Sequence, residues 1–378
     1  MKFASKLIHN GNGIDKTTGA MSIPIYQVST FNQEDINVPQ DYEYSRSENP
    51  TRKALEQTIA FLEGGVRGFA FSSGMAATAS VLSIFASGDH LVVCQDVYGG
   101  TYRICNTYFQ RFGLEVTFVD ATKLEEISKA IKPNTKGIFI ETPSNPMMKI
   151  TDIRGVAAIA REKNLITMID NTFMSPYLQR PIELGIDIVI HSATKFIGGH
   201  SDVIAGLVVA SNNTLANRIY AVQNGFGAIL GPQDSWLLMR GIKTLKVRLD
   251  YQQESALKMA EFLSKHPQVD EVLYPGLKSN SGYALNKSQS DGSGGVLSFT
   301  FKKTEVLEHF LKNIKLASVA VSLGGVETIV SYPVKMSHAS IPFAVRETLG
   351  ISDKLIRVSL GLEDISDLIK DFEKSIDN

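Results

Sequence analysis

Cysteine is scarce in this 378-residue chain: Cys94 and Cys105 are the only two, and no CxxC spacing occurs. That leaves no disulfide framework and points to a reducing compartment. Long apolar runs are missing as well. No segment approaches the roughly 18 consecutive apolar residues of a membrane span. The stretch Met1-Lys2-Phe3-Ala4-Ser5-Lys6-Leu7-Ile8-His9 lacks the apolar core of a signal peptide. A cytoplasmic location with no membrane partner is expected. Net charge is also nearly absent, −1 from 38 basic and 39 acidic residues, with a pI of about 6.7. Nothing electrostatic favours a nucleic-acid partner. No Gly-x-Gly-x-x-Gly opens a helix after a strand, so a dinucleotide dehydrogenase fits poorly. No internal repeat is evident.

What remains is a chain with 43% hydrophobic and 20% charged residues, ordinary for a soluble enzyme and long enough for two cores. Residues 1–46 have no sustained period and read as an extended arm. From 47 to 246 short apolar runs alternate with amphipathic helical stretches: His90–Val93, Val116–Val119, Gly137–Ile140, Leu165–Ile169, Ile186–Ile190 and Ala205–Val209. Helical segments such as Leu124–Ile131 and Ile153–Lys163 lie between several of them. This pattern predicts an α/β domain whose mostly parallel sheet is buried on both faces. Residues 247–378 begin helically and continue with strand-like Val296–Phe301, Thr328–Tyr332 and Ile356–Ser359 and a final amphipathic helix, Asp364–Ile376. A smaller α+β domain is expected there, with Lys278–Gly295 as a long surface loop.

Four features fall at strand ends of the large domain, where open α/β sheets place ligands. In Phe71-Ser72-Ser73-Gly74-Met75-Ala76-Ala77, small residues precede a helix, whose free N–H groups suit a phosphate; tight packing on the sheet explains them equally well. Asp170 ends an apolar run and needs solvation or a partner; a helix cap is the plain alternative. In His191-Ser192-Ala193-Thr194-Lys195, a lysine follows a buried strand. Desolvation there favours the neutral amine, which can form a Schiff base with an aldehyde. A lone lysine at a strand end is ordinarily just solvated. In Asp96-Val97-Tyr98-Gly99-Gly100-Thr101, glycines free the backbone to present the tyrosine ring, or merely make a turn. Together these supply what pyridoxal phosphate requires: an amine (Lys195), an anion beside the ring nitrogen (Asp170), a phosphate cup (Gly74, Met75, Ser192, Thr194) and a flat partner (Tyr98).

The chain resembles the cysteine/methionine-metabolism pyridoxal-phosphate (trans-sulfuration) family, among whose members the bacterial cystathionine γ- and β-lyases look nearest. The resemblance rests on those motifs together with Tyr44-Ser45-Arg46, Asn49-Pro50-Thr51, Glu141-Thr142-Pro143-Ser144-Asn145-Pro146 and Asp170-Asn171-Thr172. It rests also on Gly231-Pro232-Gln233-Asp234, Ser322-Leu323-Gly324-Gly325, Ser337-His338-Ala339 and Arg357-Val358-Ser359. It runs from about Leu7 to the last helix. It implies the aspartate-aminotransferase-like fold (fold type I) and a homotetramer built from two tight dimers. In such an assembly Tyr44 and Arg46 reach the neighbour's phosphate; the residues alone read as surface positions. It further implies that Tyr98 stacks on the ring, Asn145 contacts the ring hydroxyl, Asp170 keeps the pyridine nitrogen protonated, and Ser322 and Arg357 hold the substrate carboxylate.

The activity implied is carbon–sulfur cleavage of a small sulfur amino acid, with γ-elimination of cystathionine favoured, Lys195 moving protons and Tyr98 protonating the sulfur. Gly100 stands where the family's methionine γ-lyases carry cysteine. Val321 departs from the pattern, since cystathionine γ-lyases and γ-synthases usually carry glutamate there. Homocysteine, cysteine and methionine thus join cystathionine as expected substrates, and β-cleavage, γ-synthesis and a purely regulatory role stand as alternatives.

Overall fold

The computed structural model describes residues 1–9, 14–339 and 341–377. A seven-stranded sheet is formed by β1 (Arg67–Phe71), β2 (His90–Cys94), β3 (Glu115–Val119), β4 (Thr135–Glu141), β5 (Ile166–Asp170), β6 (Ile188–Ser192) and β7 (Gly206–Ala210) in the order β1-β7-β6-β5-β4-β2-β3. Only β7 runs against its neighbours; the other pairings are parallel. Strands such as β2 and β7 are buried at every residue, as expected where helices cover both faces. A five-stranded sheet follows: β8 (Val269–Leu273), β9 (Val296–Phe301), β10 (Ser318–Val319), β11 (Ile329–Ser331) and β12 (Leu355–Ser359), ordered β10-β11-β12-β9-β8. Its core stacks Phe299, Phe301, Phe310 and Phe372 edge to face or tilted.

Several segments differ from the pattern read in the sequence. The arm contains a helix, Phe3–His9, anchored by buried Leu7. Seven residues with one buried position carry no readable period. Strand β1 includes Gly68, whose missing side chain lets the strand approach the Glu56 carbonyl. A single helix, Pro232–Leu263, passes unbroken through residues 246 and 247. The stretch 278–295 is not simply a surface loop, because it holds the helix Tyr283–Gln289 with Asn286 and Gln289 buried. Gln289 turns inward to accept from the Ile153 N–H (3.1 Å) and donate to the Thr151 carbonyl (2.9 Å). Polar residues with internal partners look like loop residues in a sequence. Cys94 and Cys105 are both free and buried. No helix among the described residues is long and apolar enough to cross a membrane.

Candidate active site

A cavity of about 1070 Å³ opens at the C-terminal ends of β4, β5 and β6 and is closed from the other side by Ser322 and Arg357 of the small-sheet region. Gly74, Met75, Tyr98, Asn145, Asp170, Ser192, Thr194, Lys195, Val321, Ser322 and Arg357 all line it. The structure thus brings together eleven residues that the sequence singles out. Tyr44 and Arg46 are not among its walls. The exposed Arg46 guanidinium instead donates to the Asn224 carbonyl (2.6 Å) and lies 5.7 Å from the Tyr44 ring centre.

Lys195 follows β6 through a tight turn, and its Nζ donates to Ser322 Oγ at 2.6 Å. Burial first, then nearby Arg357, push its pKa down to about 8, with Asp170 opposing. The amine therefore gives up a proton far more readily than a solvated lysine. Ser322 has a φ of 84°, a region costly for a residue with a side chain. Nearby Gly324 (φ 81°) packs so closely that a Cβ would come within 2.6 Å of the Phe196 nitrogen. The strained turn is pressed directly onto the lysine's backbone.

Asp170 ends β5. Its Oδ1 accepts from the Thr172 N–H (3.0 Å) and hydroxyl (2.5 Å), and that hydroxyl accepts from the Ser192 N–H (2.8 Å). Among the described residues Oδ2 has no partner. Burial raises the Asp170 pKa, while Thr172, His191 and Lys195 pull it down. One strand over, Glu141 lies in register with Asp170 and accepts the Tyr98 N–H at 2.8 Å. Burial, then Asp170, drive its pKa well above the usual carboxylate range.

Arg357, on β12, is 3% exposed. Its guanidinium donates to Asn145 Oδ1 (2.9 Å), the Ser322 carbonyl (2.8 Å) and Ser331 Oγ (3.2 Å), all neutral acceptors, and its Nε has no partner among the described residues. Burial pushes its pKa down to about 10, with Tyr98 and Glu141 opposing. The Asn145 carbonyl is held by His338 Nε2 at 3.0 Å. Burial and Arg357 lower the His338 pKa to about 4, so this ring is neutral. Tyr98, 40% exposed, stands over the cavity. A Cβ on Gly100 would meet its ring at 2.5 Å and Met75 Sδ at 2.6 Å, which accounts for glycine there.

Thr172, Glu141 and His338 lie in motifs that carry the resemblance, but the sequence reading gave none of them a role at the site. The signal that selects Asp170, a carboxylate ending an apolar run, applies equally to Glu141 after Gly137–Ile140. Thr172 and His338 act through tertiary hydrogen bonds and carry no such signal.

The walls fit pyridoxal phosphate. The helix Gly74–Leu82 begins at the cavity, and the N–H groups of Gly74 and Met75 have no acceptor within the chain among the described residues. A Cβ on Gly74 would strike Ser192 at 2.8 Å, so backbone and hydroxyl form one small cup. Asp170 Oδ2 supplies a carboxyl oxygen with no hydrogen-bond partner among the described residues. Thr194 is less suited than Ser192, since its hydroxyl is engaged with the Ala205 carbonyl (3.2 Å) and N–H (2.9 Å).

Residues 4–377 match the family described as Cys/Met metabolism PLP-dependent enzyme. The chain is 51% identical over its full length, and the full length of the relative, to a cystathionine γ-lyase of Bacillus subtilis. It is 52% identical to a cystathionine β-lyase of the same organism, over 98% of this chain and 95% of the relative. The crystal structure of a cystathionine γ-lyase from Lactobacillus plantarum complexed with L-serine superposes with a TM-score of 0.96 at 46% identity, covering 99% of this chain and 98% of that one. The fold is accordingly that of fold type I, with pyridoxal 5'-phosphate as cofactor, and the chain belongs to the Cys/Met metabolism PLP-dependent enzyme family.

Proposed function

We propose that this enzyme is a carbon–sulfur lyase acting on cystathionine and related sulfur amino acids, with γ-elimination favoured, releasing a thiol, an α-keto acid and ammonia. The observation that carries this reading is the placement of Lys195 beside Arg357. A buried guanidinium with only neutral partners is poorly compensated and accepts a carboxylate well. An amino acid whose carboxylate binds Arg357 brings its Cα toward Lys195, an amine that loses its proton easily.

When bound, pyridoxal phosphate supplies the electron-accepting ring that acidifies the substrate's α-proton. The Gly74 and Met75 N–H groups and Ser192, with Thr194, would hold its phosphate. Asp170 would pair with the ring nitrogen, Asn145 would contact the ring hydroxyl, and Tyr98 would stack on the ring. Arg357, Ser322 and Asn145 orient the carboxylate. Lys195 removes the α-proton and, for γ-cleavage, a β-proton. Tyr98 gives a proton to the departing sulfur. Such positioned proton transfers contribute roughly 10²–10⁴-fold each.

β-Cleavage is the second reading, supported by the nearly equal likeness to relatives of both names. Product analysis with cystathionine decides. Cysteine and 2-oxobutyrate are expected; homocysteine and pyruvate mean β-cleavage, and a thioether formed from an activated homoserine and cysteine means synthesis.

We further propose a homotetramer in which Tyr44 and Arg46 complete the neighbour's phosphate site, consistent with their exposure and distance from their own cavity. Mixing inactive Lys195→Ala and Arg46→Ala subunits should then restore activity in heterodimers. No recovery in verified heterodimers would mean that Arg46 serves its own subunit.

A further inference from the structure

Behind Asp170 lies a buried pair that the chemistry above does not use. Glu63 ends the helix Pro50–Glu63, His191 lies in β6, and both side chains are 0% exposed. Glu63 Oε1 sits 2.6 Å from His191 Nε2 and also accepts from Asn171 Nδ2 at 3.1 Å. Glu63 Oε2 and His191 Nδ1 have no partner among the described residues. Stability does not call for this arrangement. A buried pair is often no better than apolar residues of equal volume. An acidic residue at a helix C-terminus also faces the wrong end of the dipole.

Its position suggests another use. Asn171 follows Asp170 directly, and its N–H donates to the Ile190 carbonyl at 2.9 Å, next to His191. Asp170 and Ile190 are in register across β5 and β6. The groups acting on Asp170 are Glu141 from β4, Cys94 from β2, Thr172 beyond β5, Lys195 beyond β6 and His191 from behind. Glu141 opposes a charged Asp170, whereas His191 and Lys195 favour it. Lys195 is taken up by the cofactor in the loaded enzyme, which leaves the Thr172 hydrogen bonds and, among ionisable groups, His191 to favour the charge.

We propose that Glu63 and His191 are positioning residues for Asp170, anchoring the ends of β5 and β6 and biasing that carboxylate toward its charged form. The inference rests on the reading of Asp170 as the partner of the ring nitrogen. Glu63→Gln tests it, because glutamine keeps an oxygen acceptor for both hydrogen bonds and removes only the charge. In the loaded enzyme, the acid-side transition of the bound cofactor's visible absorbance should move up by about one pH unit. kcat should fall roughly tenfold, with KM little changed. His191→Asn should shift the transition in the same direction. Asp170→Asn is the control. If it alters the absorbance titration while Glu63→Gln and His191→Asn titrate like the parent, the inference is overturned and the Asp170 reading stands. If Asp170→Asn also titrates like the parent, the Asp170 reading falls and takes the inference with it. Failure of both pair variants to fold would assign the pair a purely structural role and equally overturn the proposal.

Discussion

Arg357, at the floor of the cavity, is 3% exposed and hydrogen-bonded to three residues, whereas Val321, at the mouth, is 63% exposed and has no polar side-chain atom. Floor residues are each fixed by neighbours that are fixed in turn: Thr172 holds Asp170, Ser322 holds Lys195, and His338 holds Asn145. Mouth residues are free to change without disturbing such a network. The difference separates two levels of function. In the proposed reading, cofactor chemistry would reside where substitution strands a buried polar group, and substrate choice where it does not.

Breaking the floor should have the largest effect. Lys195→Ala is expected to lower turnover by about 10⁴-fold or more, since one group serves as both acid and base. Borohydride treatment of the parent enzyme should attach the cofactor to the peptide containing Lys195. Attachment to a different lysine would defeat the assignment.

The floor was also the more legible part of the sequence, for a physical reason. Lys195 and Asp170 end apolar strands, so their charge contradicts their surroundings even in one dimension. Arg357 does not stand out that way: Leu355-Ile356-Arg357-Val358-Ser359 reads as a half-exposed strand with arginine facing water. Only the resemblance singled it out, and the structure buries it completely among strands far apart in sequence. Glu63 is harder still, because an acidic residue at the end of an amphipathic helix looks solvated. The sheet order was likewise hidden. The apolar runs locate six of the seven large-sheet strands, but nothing local says that β7 enters antiparallel between β1 and β6.

Changing the mouth should redirect activity rather than abolish it. Val321→Glu offers a carboxylate to a distal ammonium, a charge-assisted contact worth roughly 1.5–3 kcal/mol. kcat/KM for cystathionine should therefore rise about 10- to 100-fold, and turnover of methionine or homocysteine should fall, since their distal ends carry no cation. Parallel losses on cystathionine and homocysteine would show that Val321 only packs against the substrate chain.

The smallest expected effect sharpens the contrast without any substrate. In the cofactor-free enzyme Lys195 has its pKa lowered from 10.5 to about 8, mainly by burial. Between those two values the unfolded chain binds more protons than the folded one, so folding becomes more favourable as pH rises through that window. Below about pH 8 both states are protonated and the full cost of the buried ammonium is present. Lys195→Met removes the titrating group while roughly keeping its volume, so it should be the more stable protein near pH 7.5. By pH 9.5 its advantage in melting temperature should shrink by a few degrees, on the order of 2–4 °C. A mouth substitution such as Val321→Glu, placed in solvent, should leave the pH dependence in this window unchanged. A Lys195→Met advantage that stays constant across the window would mean that the lysine is solvated in the folded chain. The readiness to lose a proton on which its catalytic role depends would then have to come from the bound cofactor rather than from the cavity floor.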